Sequence, residues 1–388
     1  MKALLVSSQY PPLEAGVPNF NYHISKMMTS KEFAVLTSNV PDSEKVDKKL
    51  AFNVYRHKFL TGYKLNFSPL FFLRHIPLLF YFIRIIRREK VDIVIQGEGR
   101  PFLMLLSYIA YKLFNVPYVV FHHGDGANPY SSRKSDVIVK FLIQKSLGVI
   151  ANSEFTKERV IKKYSMDPEK IKILYPGVNT DFFTCGIDTT SLMNKHNLMN
   201  KKIIMTVGRL DKRKGHDHVI KSIPYLVKEI PNLIYLVIGN GDDKPRLESI
   251  INELQLHDYV LFTGSASLED LPAYYNLCDL FVMPNREVDD GDTEGFGMVF
   301  IEANSCCKAA VAGYYGGAIE AVEDGVNGVF TDANDPEAIA NTIIRLLTDN
   351  EMRTQLERKA RERVMNNFTW ETKQTKFKAI LNTMLESK

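Results

Sequence analysis

Two doubly wound α/β domains, each a parallel sheet covered by helices on both faces, are predicted for this chain by three features of its sequence. The first is size: 388 residues, 45% hydrophobic and 24% charged, suffice for two cores. The second is a series of short apolar, β-branched runs without strict alternation, the pattern of strands buried on both faces. The third is a polar stretch, TCGIDTTSLMNKHNLMNK at 184–201, after which the series restarts. A first domain over 1–184 and a second over 201–369 follow, with a C-terminal helix over about 370–388 packing back on the first.

The first series runs ALLVS at 3, FAVLTS at 33, DIVIQG at 92, YVVFH at 118, GVIANS at 148 and IKILYPG at 171. Between its first two members lies SSQYPPLEAGVPNFNYHI, in which Gly16 separates a strand from a helix expected to begin near Pro18 or Asn19. A glycine there lets backbone approach a ligand, and the helix N-terminus favours anions. The second series runs KIIMTVG at 202, IYLVIGNG at 234, VLFTG at 260, LFVMPN at 280 and AAVAG at 309. Val219, Ile220, Ile223, Leu226, Val227 and Ile230 form a helical stripe between its first two members, with Pro224 inside it expected to kink the helix or shift its start.

Composition narrows the function. A formal charge of +4 is small for this length and does not call for nucleic acid. Cys185, Cys278, Cys306 and Cys307 show neither CxxC spacing nor zinc-spaced histidines, which fits a reduced, cytoplasmic compartment. The opening MKALLVSSQYPP is too short an apolar run for a secretory signal, and the most apolar window, 101–114, is broken by Lys112. No GxGxxG follows the first strand, which argues against a nicotinamide dehydrogenase. Residues 53–90 carry Arg56, Lys58, Lys64, Arg74, Arg84, Arg87, Arg88 and Lys90 against one acid, Glu89, among many aromatics. That composition suits either an anionic membrane surface or a buried helix with a basic edge.

The stretch TEGFGMVFIEA brackets glycine and hydrocarbon with Glu294 and Glu302. On one helix these lie about 12 Å apart, too far to share a proton and beyond the roughly 5–9.5 Å of glycosidase carboxylate pairs. They must do separate work. In TVGRLDKRKGHDHVI, Arg209 and Lys214 leave a strand on a glycine-bearing turn, where a guanidinium fork and a point charge can hold a diphosphate.

Taken together, these segments resemble the family 4 retaining glycosyltransferases. The matching pieces are the PP-plus-glycine loop at 11–16, HG at 123–124, YPGVNTDFF at 175–183, GRLDKRKG at 208–215 and VIGNGDDKPRLE at 237–248. They continue with LPAYYNLCDLFVMPN at 271–285, EGFGMVFIEA at 294–303, GGAIEAV at 316–322 and FTW at 368–370. The resemblance implies the GT-B fold, α/β, two Rossmann-like doubly wound domains facing across a cleft. It also implies that Glu302 accepts from nucleotide ribose hydroxyls, that Glu294 holds donor-sugar hydroxyls, and that Arg209 and Lys214 clamp the diphosphate. Gly16, Gly208, Gly295, Phe296, Gly297 and Met298 would complete the donor site. His123 matches a family histidine near the donor sugar, with His122 as the alternative. Two departures stand out: Ala15 precedes Gly16 where the family often has two glycines, and Lys308 occupies a position where a small turn residue is common.

The resemblance further implies a retaining, front-face transfer without a protein nucleophile, in which the leaving phosphate helps deprotonate the acceptor. No cofactor and no metal are expected, so DDGD at 289–292, with Asp290 and Asp292, is read as a solvated acidic loop rather than a cation site. The donor expected is GDP-mannose, with a UDP-hexose or a nucleotide-sugar epimerase on the same fold as alternatives. The acceptor is expected to be a glycan or a lipid-linked molecule in cell-surface polysaccharide or glycolipid synthesis, at the inner face of the membrane.

Overall fold

The computed structural model describes residues 1–13, 16–60, 69–124, 133–288 and 291–386. The chain forms two compact units, Met1–Tyr175 with Trp370–Lys388, and Pro176–Thr369. In the first, a parallel sheet has the order β3-β2-β1-β4-β5-β6-β7. Its strands are β1 (Ala3–Ser7), β2 (Phe33–Ser38), β3 (Asn53–His57), β4 (Ile93–Gln96), β5 (Tyr118–His122), β6 (Gly148–Ala151) and β7 (Ile171–Ile173). Helices α1 (Gly16–Lys26), α2 (Ser43–Asp47), α3 (Pro69–Glu89), α4 (Pro101–Phe114), α5 (Arg133–Lys145) and α6 (Glu154–Tyr164) connect them.

The second unit opens with α7 (Thr190–Lys195) and builds its own parallel sheet in the order β10-β9-β8-β11-β12-β13. The strands are β8 (Lys202–Val207), β9 (Leu233–Ile238), β10 (Val260–Gly264), β11 (Leu280–Met283), β12 (Ala310–Gly313) and β13 (Gly328–Thr331). They alternate with α8 (His216–Glu229), α9 (Lys244–Glu253), α10 (Leu271–Leu277), α11 (Met298–Ser305), α12 (Ala318–Ala321), α13 (Pro336–Thr348) and α14 (Asn350–Asn367). A last helix, α15 (Trp370–Glu386), belongs to the first unit, where Trp370 stacks on His23 and Gln374 Nε2 donates to His23 O at 2.7 Å.

In each sheet the central strand, β1 or β8, is buried along nearly its whole length, as apolar runs covered on both faces must be. Residues β1 Leu4, β2 Ala34 and β4 Val94 share one register line, and Leu4, Val6, Leu36, Val94 and Val120 enter one core with Phe82 and Leu142 from the helices. The second core gathers Ile204, Val237, Val282 and Val311 under Val219, Ile223, Leu226 and Ile343.

Four expectations change. The domain boundary lies at 175/176, ahead of the polar stretch, which is tied into the second unit: Asn276 Nδ2 donates to Thr184 O at 2.8 Å, and Leu198 is buried. Cys185 is bonded to Cys307 across 122 residues, against the reduced set that the cysteine pattern suggested, because spacing along the chain cannot reveal such a pairing; Cys278 and Cys306 are free among the described residues. The helix after the first loop starts at Gly16, not at 18 or 19. Helix α8 runs unbroken through Pro224, because Val219, Ile220, Ile223 and Leu226 pack into the core and outweigh the local cost of the proline. Two edge strands, β3 and β13, had no sequence signal; β3 is only partly buried and carries Arg56 and His57, so it lacks an apolar run.

Candidate active site

The second unit concentrates the predicted residues where β8 ends. β8 lies between β9 and β11, the position at which the strand order reverses and ligands of open parallel sheets bind. After Val207 the chain turns through Gly208 and Arg209 to Asp211, whose side chain caps a short turn at Lys212–Lys214 by accepting from Arg213 N at 3.3 Å. That turn buries Lys214, half-buries Arg213 and sends both toward Glu294. Lys214 Nζ and Arg213 Nη1 donate to the same oxygen, Glu294 Oε2, the latter at 2.9 Å. Arg213 Nε also stands 3.3 Å from Asp292 and 3.7 Å from Asp211.

Electrostatics follow from this packing. Burial by itself would raise the Glu294 carboxyl, but Lys214 and Arg213 outweigh it and hold it down at about 2. Burial lowers Lys214, with Arg213 adding to the effect and Glu294 opposing it, while Arg213, between three carboxylates, is raised against its own burial. The result is a largely buried carboxylate held ionised by two cations, one of them a lysine whose burial opposes its own charge while Glu294 supports it. A second diphosphate-type anion there would meet a cation already desolvated.

Arg209 is placed differently. Its side chain is 71% exposed and meets Asp211 at 3.7 Å, apart from the Lys214–Glu294 pair. The structure therefore unites Lys214 with Glu294 and leaves the second member of the expected clamp in solvent. Arg213, which sequence reasoning passed over, occupies the inner position. Three consecutive basic residues, KRK, mark the turn, but only the fold says which of them is buried.

Glu302 sits one helix further in. It lies on α11, buried, and accepts from Tyr275 Oη at 2.8 Å. Burial raises its carboxyl above the ordinary range, opposed by the tyrosine hydroxyl and by Lys214. Gly297 caps α11 at φ 87°, a left-handed conformation that costs glycine nothing. Gly317 donates to Glu294 O at 2.7 Å, and a Cβ on it would lie 2.0 Å from Gly295 O, so the GGAIEA turn can seat the 294–297 loop only as glycine. Phe296 turns its side chain inward, 5.8 Å from Phe368, and is core rather than ligand-facing; Gly295 and Gly297 are buried and Met298 is half-buried.

A second tier fixes the loop. Asp217 Oδ2 accepts from Arg286 at 2.9 Å and from Arg246 at 3.0 Å, which holds its carboxyl far below the usual range although burial opposes this. Arg286 N in turn donates to Arg213 O at 2.8 Å. Asp292 pairs with Arg213, whereas Asp290 lies outside the described residues, as do Ala15 and Lys64. Among the described residues no group of three His, Cys, Asp or Glu side chains is arranged to hold a metal ion.

In the first unit, Gly16 opens α1 with open space beside it. His123 Nε2 lies 3.0 Å from Gly97 O and its ring packs 5.0 Å from Phe20, while His122 approaches Tyr164 on the other side of the sheet. Alternation along the strand thus sends the two histidines to opposite faces.

Comparison with known proteins bears on the family and the fold. Residues 15–182 match the family model "Glycosyltransferase Family 4" and residues 188–363 match "Glycosyl transferases group 1". A GDP-mannose-dependent alpha-(1-6)-phosphatidylinositol monomannoside mannosyltransferase of Mycolicibacterium smegmatis is 26% identical over 389 residues, 99% of each chain. A D-inositol 3-phosphate glycosyltransferase of Salinispora arenicola is 31% identical over 58% of this chain and 52% of its own. Among solved structures, HepE of Anabaena in complex with UDP superposes with a TM-score of 0.82 at 21% identity, over 99% of this chain and 100% of that one. Sucrose-phosphate synthase of Thermosynechococcus elongatus gives 0.80 at 20% identity, over 100% of both chains. At such identities the structural likeness speaks for the fold alone.

Proposed function

Because the chain belongs to the glycosyltransferases, with a family 4 domain followed by a group 1 domain on two Rossmann-like sheets, we propose that it is a retaining mannosyltransferase using GDP-mannose. The observation that carries this reading is the Lys214–Arg213–Glu294 cluster at the switch point of the second sheet, built on the buried Lys214, with Glu302 on the adjoining helix. The mannose and guanine assignments draw support from the full-length relative, whose name specifies GDP-mannose.

In the proposed reaction the donor diphosphate lies by Lys214, and Arg209 folds in from solvent as its second cation. Both offset the charge that builds as the anomeric C–O bond breaks. Glu294, kept ionised by Arg213, accepts from sugar hydroxyls, and Glu302 from the ribose hydroxyls. The acceptor hydroxyl forms its bond to the anomeric carbon on the face the phosphate leaves, and its proton passes to the departing phosphate oxygen. His123, or His122, hydrogen-bonds the donor sugar. No metal ion or cofactor is required, because the cations at the diphosphate are side chains.

The first unit binds the acceptor, a glycan or a lipid-linked molecule, at the cytoplasmic face of a membrane. Support comes from α3, which buries Leu78, Phe82, Ile85 and Ile86 but exposes Leu73, Ile76 and Phe80 beside Arg74, Arg84, Arg87 and Arg88. Among the described residues no helix is long and apolar enough to cross a bilayer. A thermal-shift panel of GDP, UDP, GDP-mannose and UDP-glucose tests the donor, since a ligand that binds only the native state stabilises it by mass action. Stabilisation by UDP-glucose and not by GDP-mannose would replace the mannose reading by the UDP-hexose one.

A further inference from the structure

Two carboxylates of the second unit, Glu294 and Glu302, are compensated in opposite ways. Glu294 carries two cations, Lys214 and Arg213, on one oxygen. Glu302, 9% exposed on α11, forms no ion pair among the described residues, and its partner is a neutral donor, Tyr275 Oη at 2.8 Å from Oε2. A buried charge is costly unless hydrogen bonds replace the water it has lost. Among the described residues Oε1 accepts no hydrogen bond, yet it is not sealed in as the orphaned Asp217 Oδ1 and Thr293 Oγ1 are. Glu302 therefore keeps acceptor capacity that a donor from outside can reach.

Packing sets the hydroxyl that holds the other oxygen. Tyr275 is fully buried on α10, its ring 5.8 Å from Phe183 at 73° and 5.8 Å from Phe281 at 51°. Phe281 of β11 in turn meets Phe300 of α11 at 5.7 Å. These rings tie α10, β11 and α11 together, so apolar contacts fix the approach of the hydroxyl to Glu302. Removing the oxygen alone leaves that framework in place.

We infer that Tyr275 positions Glu302 for the donor ribose, its hydroxyl holding Oε2 and leaving Oε1 to accept from the ribose hydroxyls. This arrangement rests on the glycosyltransferase reading, which places Glu302 at the ribose. Tyr275 is a positioning residue: it touches Glu302 and not the ligand. A hydrogen bond donated to a carboxylate favours its ionised form, here against burial, which raises Glu302. Lys214, from the turn after β8, also favours the anion, with no hydrogen bond between the two among the described residues. Cys306 at the end of α11 and Cys278 after α10 are thiols raised by burial, a rise that Lys308 and, for Cys306, Arg361 offset only in part. Tyr275 is itself raised well above its ordinary value, so it keeps the proton it donates.

The test is titration calorimetry of GDP and UDP, each beside its 2′,3′-dideoxy form, into the full chain from about pH 5 to about pH 9, in wild type and Tyr275→Phe. With the ribonucleotide, Tyr275→Phe should bind about three- to tenfold more weakly at the acid end, and the two proteins should converge as pH rises. With the dideoxy form, which has no ribose hydroxyls to donate, the two proteins should bind alike at every pH. Any titration of Lys214 or of the nucleotide phosphates is common to both proteins, so the ratio of affinities reports Glu302. Should Tyr275→Phe not fold, 3-fluorotyrosine at position 275 keeps the hydroxyl and makes it the stronger donor; the ribonucleotide should then bind more tightly than in wild type at acid pH. An unchanged affinity, a loss by the same factor at every pH, or an equal loss with the dideoxy form overturns the inference. A wild-type chain that binds neither nucleotide, or binds the dideoxy form equally well, overturns the reading beneath it instead.

Discussion

Arg213 Nη1 donates to Glu294 Oε2 at 2.9 Å across 81 residues of sequence, and Lys214 donates to the same oxygen. One carboxylate oxygen therefore joins the turn after β8 to the loop before α11. The residue proposed to face the diphosphate and the one proposed to face the sugar are fixed relative to each other before any ligand arrives.

Replacing Arg213 by Met should lower stability by about 1–3 kcal/mol, because a nearly buried carboxylate loses one of two charged donors. Urea unfolding measures it. The sign with pH is determined: a carboxyl held at about 2 against an ordinary 4.5 contributes stability that is present above 4.5 and lost as pH falls toward 2. The variant should lose less stability than wild type across that acid range. Identical acid unfolding of both proteins would mean that Lys214 holds Glu294 alone.

GDP or UDP should raise the melting temperature of the wild type and raise that of Glu302→Ala much less, since a hydrogen bond to a charged group contributes roughly 1.5–3 kcal/mol. Burial raises the Glu302 carboxyl, so its ionised, ribose-accepting form is populated only as pH climbs through that raised value. Nucleotide affinity should accordingly weaken on acidification in wild type and be flat with pH in Glu302→Gln. Equal thermal shifts in wild type and Glu302→Ala would remove this residue from the site.

Turnover should survive EDTA, because the proposed cations at the diphosphate are Lys214 and Arg209. Activity abolished by chelation and restored by manganese would make Asp292 a ligand together with Asp290 and would require Arg213 to release it.

The exposed face of α3 should bring the protein down with anionic liposomes at low salt and release it as salt screens the attraction. Changing Arg84, Arg87 and Arg88 to Ser should weaken that binding by about 1 kcal/mol per residue. Nucleotide binding should be unaffected. Cosedimentation unchanged in the triple variant would show that these arginines do not anchor the protein. A loss of folding would fit Arg87, which lies 5.0 Å over the Phe114 ring, acting in packing instead.

The sequence by itself determined the two parallel sheets, because a strand covered on both faces must be an apolar run, and such runs are visible without any partner. It also marked Lys214, Glu294 and Glu302, through the motifs around them and their likeness to a known family. Burial and pairing were beyond it. Which cation of KRK turns inward was decided by the Asp211 cap and by the loop that carries Glu294, 80 residues from Lys214. The edge strands β3 and β13 take their places from sheet order, and the Cys185–Cys307 bond joins residues 122 apart that only the fold brings together. The dividing line is physical: periodicity and composition act along the chain, while the ionisation of Glu294 depends on charges that only tertiary packing brings within hydrogen-bond reach.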